Sequence, residues 1–327
     1  MKEYKENFKN AIRYATHKLE NTALRMIVLG MLGSIYVGIA YMIFIIILGS
    51  WDGVIEKTTN DLGEITNFKI HIPGVALFTA AALFPVGIIM ILFLGGSLFT
   101  SDNLTMLAWI TKQKTSEGHG VQFKKIFIKW MYTLLGNILG GLVIGGLCRA
   151  ANFFANENYQ YVLGYLCGKK ISMAWYFTIF SGFLCNILVA GSVWASLAAS
   201  HSTAKLLLIY FPIWMFAISG FQHVVANGIL FSMGLFYMIE PTEQNNFLIA
   251  LNYQVNHNFH DLKETTIDNV KQLSSWINPG KFIFALFFIN IIPAGIGNWI
   301  SGSIFLPYTY YYLSGHYKNR NTNIHNL

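Results

Sequence analysis

Apolar and polar positions alternate along this chain in long blocks rather than in the short periods of a soluble domain. Apolar runs cover about 24–49, 75–98, 123–148, 172–198, 206–239 and 282–313, with polar stretches between them. A helix needs roughly 20 residues to cross a hydrocarbon core of about 30 Å, so each run predicts a membrane-spanning helix. The spans make one body at 23–313, with a polar outer loop at about 241–281 and a tail at 314–327. Residues 1–22 open with KEYKENFKNAIRYATHKLE, charged and amphipathic rather than the short apolar core of a cleaved signal. This stretch reads as a helix on the inner interface, its lysines drawn to lipid headgroups. Contact with a neighbouring subunit, or closure of the inner mouth, are its alternative roles.

Two of the six runs are interrupted. The second carries Pro85 and enters GGSLFTSDNLTM at 95–106, and the fifth carries Pro212 and enters GFQHVVANG at 220–228. Backbone that leaves a helix at membrane depth survives only where protein buries it or a cavity hydrates it. One such break in each half of a transport protein points to its binding site. The halves also share a motif, GNILGG at 136–141 and GNWISG at 297–302. Spans 1–3 and 4–6 therefore read as copies of one unit, at about 23–150 and 170–313, and three spans per copy force opposite insertion. The expected fold is an all-α integral membrane protein: six transmembrane helices in two inverted three-helix repeats, with broken second and fifth helices.

Composition agrees with the pattern. Hydrophobic residues make up 54% of the 327 and charged residues 11%, far from the roughly 25% charge of soluble domains. The net charge of +7 reads as membrane topology rather than as a nucleic-acid surface. Placing both termini in the cytoplasm puts 14 of the 22 Lys and Arg inside, the bias that the positive-inside rule favours. Cys148, Cys167 and Cys185 lack metal-ligand spacing and read as free packing thiols, with a Cys148 to Cys167 bridge the lesser alternative. His257 and His260, three apart in the outer loop, lack further ligands and read as solvated. No cofactor or metal is expected.

Several strings, in this order, resemble the formate/nitrite transporter family, the pentameric, aquaporin-like channels for small monovalent anions. Leu98, Phe99 and Thr100 look like that family's first re-entrant loop, and FQHVVAN at 221–227 like its second, with His223 at the central histidine. GFLCNILVAGSVW at 182–194 is similar to its fourth span, and Gly136–Asn137 and Gly297–Asn298 match its paired motif in spans three and six. Lys170, twelve residues before Gly182, has the spacing of the family's vestibule lysine. Two departures fall at matching places in the repeats: Ser97 and Gln222 stand where the family carries acids. Gly228 replaces a usual methionine.

The resemblance implies a pore centre of Thr100, Asn186 and His223. It implies one apolar constriction of Phe84, Ile88 and Phe216 and another of Leu98, Phe99 and Val189, with Ser97, Ser101, Gln222 and Asn227 in the re-entrant loops. A homopentamer in the plasma membrane is part of what it implies. Chemistry then suggests the transported form. Taking a bare carboxylate into a low-dielectric slit costs about 20 kcal/mol by an idealised Born argument, whereas protonating a carboxylate at pH 7 costs roughly 4 kcal/mol. Passage as the neutral acid, coupled to a proton, is the expectation. The anion would be drawn in by Lys170 and by helix N-termini around Ser101–Asn103 and Asn227–Gly228, then protonated from water or through His223. Each assignment has a plainer counterpart: His223 as a structural hydrogen-bonding group, Thr100 and Asn186 as repair of broken-helix carbonyls, Lys170 as an interfacial lysine, and the Phe and Leu residues as packing.

Formate is the default among formate, nitrite, lactate and hydrosulfide. A neutral-solute pore for water, glycerol or ammonia is the nearest alternative, although paired Asn-Pro-Ala loops are absent. An intramembrane enzyme would need a catalytic cluster at membrane depth, and the spans offer one His and almost no acids.

Overall fold

The computed structural model describes residues 4–59, 65–238, 246–257 and 279–315. Of the sequence-based expectations, His260, most of the outer loop and nearly all of the tail lie outside these residues. Six helices are long and apolar enough to cross a membrane: Ala23–Gly49 (α2), Gly74–Leu94, Phe123–Ala150 (α7), Trp175–Leu197 (α9), Ser202–Ser219 (α10) and Pro279–Leu313 (α13). Five of them match an apolar run to within a few residues, whereas the fifth run, 206–239, is divided between α10 and a shorter helix at Val224–Met238. Their outward faces carry exposed Leu, Ile and Phe, among them Leu147, Phe180, Phe211 and Phe288, as a surface in hydrocarbon or against a neighbouring chain requires.

The breaks have local causes. In the second span, Pro85 starts a new helix, so α3 (Gly74–Leu83) and α4 (Pro85–Leu94) meet at Phe84. The chain then leaves the helix at Gly95, whose φ of 91° suits a residue without Cβ. It runs extended to Leu98 and re-enters helix at α5 (Phe99–Asp102), followed by a tight turn and α6 (Met106–Ile110). In the fifth span, Pro212 lies inside α10 without ending it. The helix stops at Gly220, left-handed at φ 63°, and resumes at α11 (Val224–Met238). The last span is one path with two π turns, Leu286–Ile291 and Ile300–Phe305. The first of these holds Asn290, fully buried.

The paired GN motifs mark where helices touch backbone to backbone. A Cβ on Gly136 would lie 2.2 Å from the Ile27 carbonyl oxygen, and one on Gly297 would lie 2.1 Å from that of Ile179. Only glycine lets α7 approach α2, and α13 approach α9, this closely. The same contact thus occurs once in each half.

Three elements had no warning in the apolar pattern. An antiparallel hairpin pairs β1 (Ile55–Thr59) with β2 (Ile65–Ile70), Ile55 opposite Ile70. Helices α8 (Glu157–Ile171) and α12 (Asn246–His257) pack on one another; both are too polar and short to read as spans. The opening stretch is a helix, α1 (Tyr4–Glu20), and its apolar face, with Phe8, Ala11, Ala15 and Leu19, is covered by protein. Its Asn7 and Asn10 amides donate to the Trp194 and Leu197 carbonyls at the end of α9. The three cysteines are buried and free.

Candidate functional site

An asparagine clips each re-entrant loop to the bundle. On α7, the Asn137 amide donates to the carbonyls of Gly30 (2.8 Å) and Ser97 (3.0 Å), and its Oδ1 accepts from the Phe99 N–H (2.9 Å). On α13, the Asn298 amide donates to Gly182 (2.7 Å) and Gln222 (3.0 Å), and its Oδ1 accepts from the Val224 N–H (2.8 Å). The two sets match residue for residue, so Ser97 corresponds to Gln222, Phe99 to Val224 and, three residues on, Asp102 to Asn227. One side chain satisfies the first helical N–H and a carbonyl on each side of the break, which is how non-helical backbone is made tolerable in an apolar setting.

The clips bring the loop tips together. Thr100 Oγ1 and His223 Nε2 are 2.8 Å apart, and the Asn186 amide on α9 donates to the carbonyls of Thr100 (3.3 Å) and Asn298 (2.7 Å). Thr100, Asn186 and His223 thus form one buried cluster, each at most 2% exposed. His223 Nδ1 accepts from the Ala226 N–H at 3.0 Å, so the ring caps α11 as an asparagine side chain would. A nitrogen that accepts carries no proton; the ring is therefore the neutral Nε2–H tautomer. That N–H donates to Thr100 Oγ1, and the Thr100 hydroxyl proton is left to point elsewhere.

The free helix ends differ from the sequence-based expectation. The helices start at Phe99 and Val224, and both of those N–H groups are held by the clips. The Asn227 N–H already donates to the His223 carbonyl, so the second expected anion-facing end, at Asn227–Gly228, lies one turn too deep inside α11. Ser101 remains in the first turn of α5, its hydroxyl donating to the Leu98 carbonyl.

Aromatic and aliphatic side chains flank the cluster. Phe84 and Phe216 meet edge to face with centroids 5.7 Å apart, and Phe216 lies 5.6 Å from the His223 ring. Tyr41 and Phe44 of α2 back Phe84 from behind. Ile88 is buried one turn further along α4. Leu98 and Phe99 are buried in the first loop, and Val189 is buried one turn beyond Asn186 on α9.

Behind each loop stands a lysine, and here the halves differ. Lys18, in the last turn of α1, donates to Asp102 Oδ1 at 2.9 Å and to the Ser97 hydroxyl. The carboxylate also accepts from Ser97 (2.7 Å) and Thr133 (2.9 Å), and it is fully buried. Lys170, at the end of α8, is 8% exposed and donates at 3.0 Å to the carbonyls of Gly220 and Phe221. Burial pushes the Lys170 ammonium down to about 8, which leaves it mostly protonated at pH 7. Gln222 Oε1 accepts from Asn227 (2.7 Å) and from Asn290 (3.1 Å). Instead of standing free in a vestibule, Lys170 is bonded to the loop that carries His223. Of these residues, Lys18, Asp102, Thr133 and Asn290 carry no motif in the sequence. Asp102, an acid inside a helix break, was the one available signal.

Among the described residues, none of the His, Cys, Asp and Glu side chains gather into a metal-binding group. Two broken helices whose tips meet at a buried threonine, histidine and asparagine, inside six membrane-capable helices, define a multi-pass membrane transport protein, not an enzyme. The chain belongs to the formate/nitrite transporter family, whose profile matches residues 5–312. It is similar to the formate channel FocA of Haemophilus influenzae, 32% identical over 164 residues that make up 50% of this chain and 55% of that one. The chain thus matches only about half the length of that relative. The FocA channel of Escherichia coli K12 is 26% identical over 73% of this chain and 74% of its own. The transporter YrhG of Bacillus subtilis is 26% identical over 95% of this chain and 92% of its own. Among solved structures, a pentameric formate channel with formate bound shares the fold, with a TM-score of 0.64 over 89% of this chain and 97% of that one at 20% identity.

Proposed function

We propose that the chain is one subunit of a homopentameric plasma-membrane channel for small monovalent anions, formate first, that carries them as the neutral acid with a proton. The observation that carries this reading is the 2.8 Å contact between Thr100 and His223, placed where the two broken helices meet and beside apolar side chains. Such a place penalises a bare charge and rewards a group that can both accept and donate a hydrogen bond. Both termini are assigned to the cytoplasm from the charge bias. The relatives described as formate channels favour formate over nitrite, lactate or hydrosulfide.

The hydrogen bonds favour water, over His223, as the source of the proton. A neutral imidazole that gave up its Nε2 proton would become an imidazolate. A doubly protonated ring would turn an N–H at the Ala226 N–H that Nδ1 now accepts. Holding Nε2–H toward Thr100, and so turning the Thr100 hydroxyl toward the permeating oxygen, is the role this geometry supports. Lys170 attracts the anion, a water-derived proton neutralises it, and Thr100 orients the acid between the apolar residues.

The test is uptake of labelled formate, lactate, nitrite and sulfide into proteoliposomes at two external pH values, with His223→Asn as control. Uptake should climb steeply as external pH falls. A full-rate anion current independent of pH would overturn the neutral-acid reading, and uptake of neutral solutes alone would favour a water or glycerol pore.

A further inference from the structure

The matched clips allow the two halves to be compared charge for charge. In the first half, the buried cation Lys18 is balanced by the buried carboxylate of Asp102. In the second half, the side chain corresponding to Asp102 is Asn227, the one corresponding to Ser97 is Gln222, and both are neutral. Lys170 is held by two carbonyl oxygens, and among the described residues no carboxylate lies within ion-pair distance of it. Among the described residues, the other groups that act on it are the buried thiol of Cys185, which carries no charge while protonated, and Lys169, of the same sign. The second half therefore keeps one buried positive charge that the first half cancels, next to the loop whose following residue is His223.

We propose that Gln222 is a specificity-determining residue. By offering a carboxamide where the neighbouring amides would equally donate to a carboxylate, it leaves the Lys170 ammonium without a counter-charge among the described residues, so the pore centre is net positive on its His223 side and holds a monovalent anion more tightly than a balanced centre would. The cradle around Gln222 Oε1 is built of donors, the amides of Asn227 and Asn290, and the weak contact of Nε2 with the Met173 sulfur (3.4 Å) is the one bond that a carboxylate would forfeit. A glutamate would fit there without rebuilding. The choice of glutamine is then a choice of charge. Lys170 is bonded to the two residues that precede Gln222, and unit charges this near one another in a poorly screened interior interact strongly enough to shift anion occupancy several-fold.

This inference rests on the anion-channel reading above, and the experiment separates the two. Formate uptake by proteoliposomes is measured against concentration, at one fixed pH, for the wild type, Q222E, Q222M and Q222E/K170Q, each first shown to assemble by size-exclusion chromatography. Q222E should raise the half-saturating formate concentration by roughly five- to tenfold. Q222M adds no charge but takes the acceptor from the Asn227 and Asn290 amides, so its half-saturating concentration should rise less than that of Q222E. Q222E/K170Q, with a net negative pair, should be weaker than Q222E. Should the double variant fail to assemble, Q222E against Q222M still decides. Q222E within about twofold of the wild type, or Q222M as weak as Q222E, overturns the inference and leaves the channel reading standing. No wild-type uptake above that of empty liposomes overturns both.

Discussion

Replacing Lys18 by methionine isolates the energetics of the first loop. Asp102 is fully buried, and Lys18 is the one cation that contacts it among the described residues; the remaining donors are the Ser97 and Thr133 hydroxyls. Removing one partner of a buried pair leaves an uncompensated charge and costs about 3–5 kcal/mol. The converse change, Asp102→Asn, should cost less, about 1–3 kcal/mol, because the Lys18 side chain is 14% exposed against 0% for Asp102 and can turn its ammonium to water. In the double variant K18M/D102N no charge is left, and the new amide can still accept from Ser97 and Thr133, so stability should return to within about 1 kcal/mol of wild type. At about 2–4 °C per kcal/mol, K18M should melt roughly 6–20 °C lower in detergent. The assay is thermal loss of the assembled peak on size-exclusion chromatography, all variants heated at one rate because unfolding of such an assembly is irreversible. A K18M melting point within about 1 °C of wild type, or a double variant as unstable as K18M, would show that the pair does not hold the loop.

The remaining predictions concern closeness, orientation and pH. Gly136→Ala and Gly297→Ala should each destabilise by about 1–3 kcal/mol, since the added methyl meets a helix carbonyl, whereas Gly191→Ala, with open space around it, should be neutral or slightly stabilising; melting points of the three decide. Thr100→Val keeps the shape but leaves the His223 Nε2–H without its acceptor, and formate uptake should fall about tenfold with assembly intact; unchanged uptake would remove Thr100 from the pathway. Asn298→Leu should expose the α11 end of the second loop to proteolysis, because it orphans the Val224 N–H and the Gln222 and Gly182 carbonyls together. Burial opposes the Lys18 charge, but the Asp102 carboxylate and the Tyr14 hydroxyl outweigh it, and the proton is held more tightly than on an ordinary lysine. A raised folded value means that the stabilisation is complete below the unfolded lysine value and fades only as pH rises through the folded one. Protease protection of α1 should therefore stay constant from about pH 6 to 9, and release of the helix in that interval would contradict the assignment.

Much of this arrangement was legible in the chain because hydrophobic length is a local property. Six runs of about 20 apolar residues must cross a bilayer, and Gly95 and Gly220 mark the two places where the helix has to stop. The central threonine, asparagine and histidine were picked out by the resemblance of their strings to the family's loops and fourth span. Pro212 was misleading for the reason that Pro85 was not: Pro85 occupies a first helical position, where its missing N–H is no loss, while Pro212 is carried inside a helix that continues to Ser219. The hairpin and helices α8 and α12 had no such signal, being neither apolar enough nor long enough to stand out.

By itself the sequence determined the six spans, their two breaks, the charge bias and the residues available at the breaks, all of which follow from composition over short windows. Tertiary structure alone decided which of those residues pair. The tautomer of His223 depends on an N–H three residues away that faces its ring only once α11 is formed. Lys18 and Asp102 are 84 residues apart, and nothing in either segment specifies the other; each needs a partner because it is buried, and burial is a property of the assembled bundle. That no carboxylate among the described residues meets Lys170 is visible for the same reason, only when the two halves are laid over one another through the Asn137 and Asn298 clips.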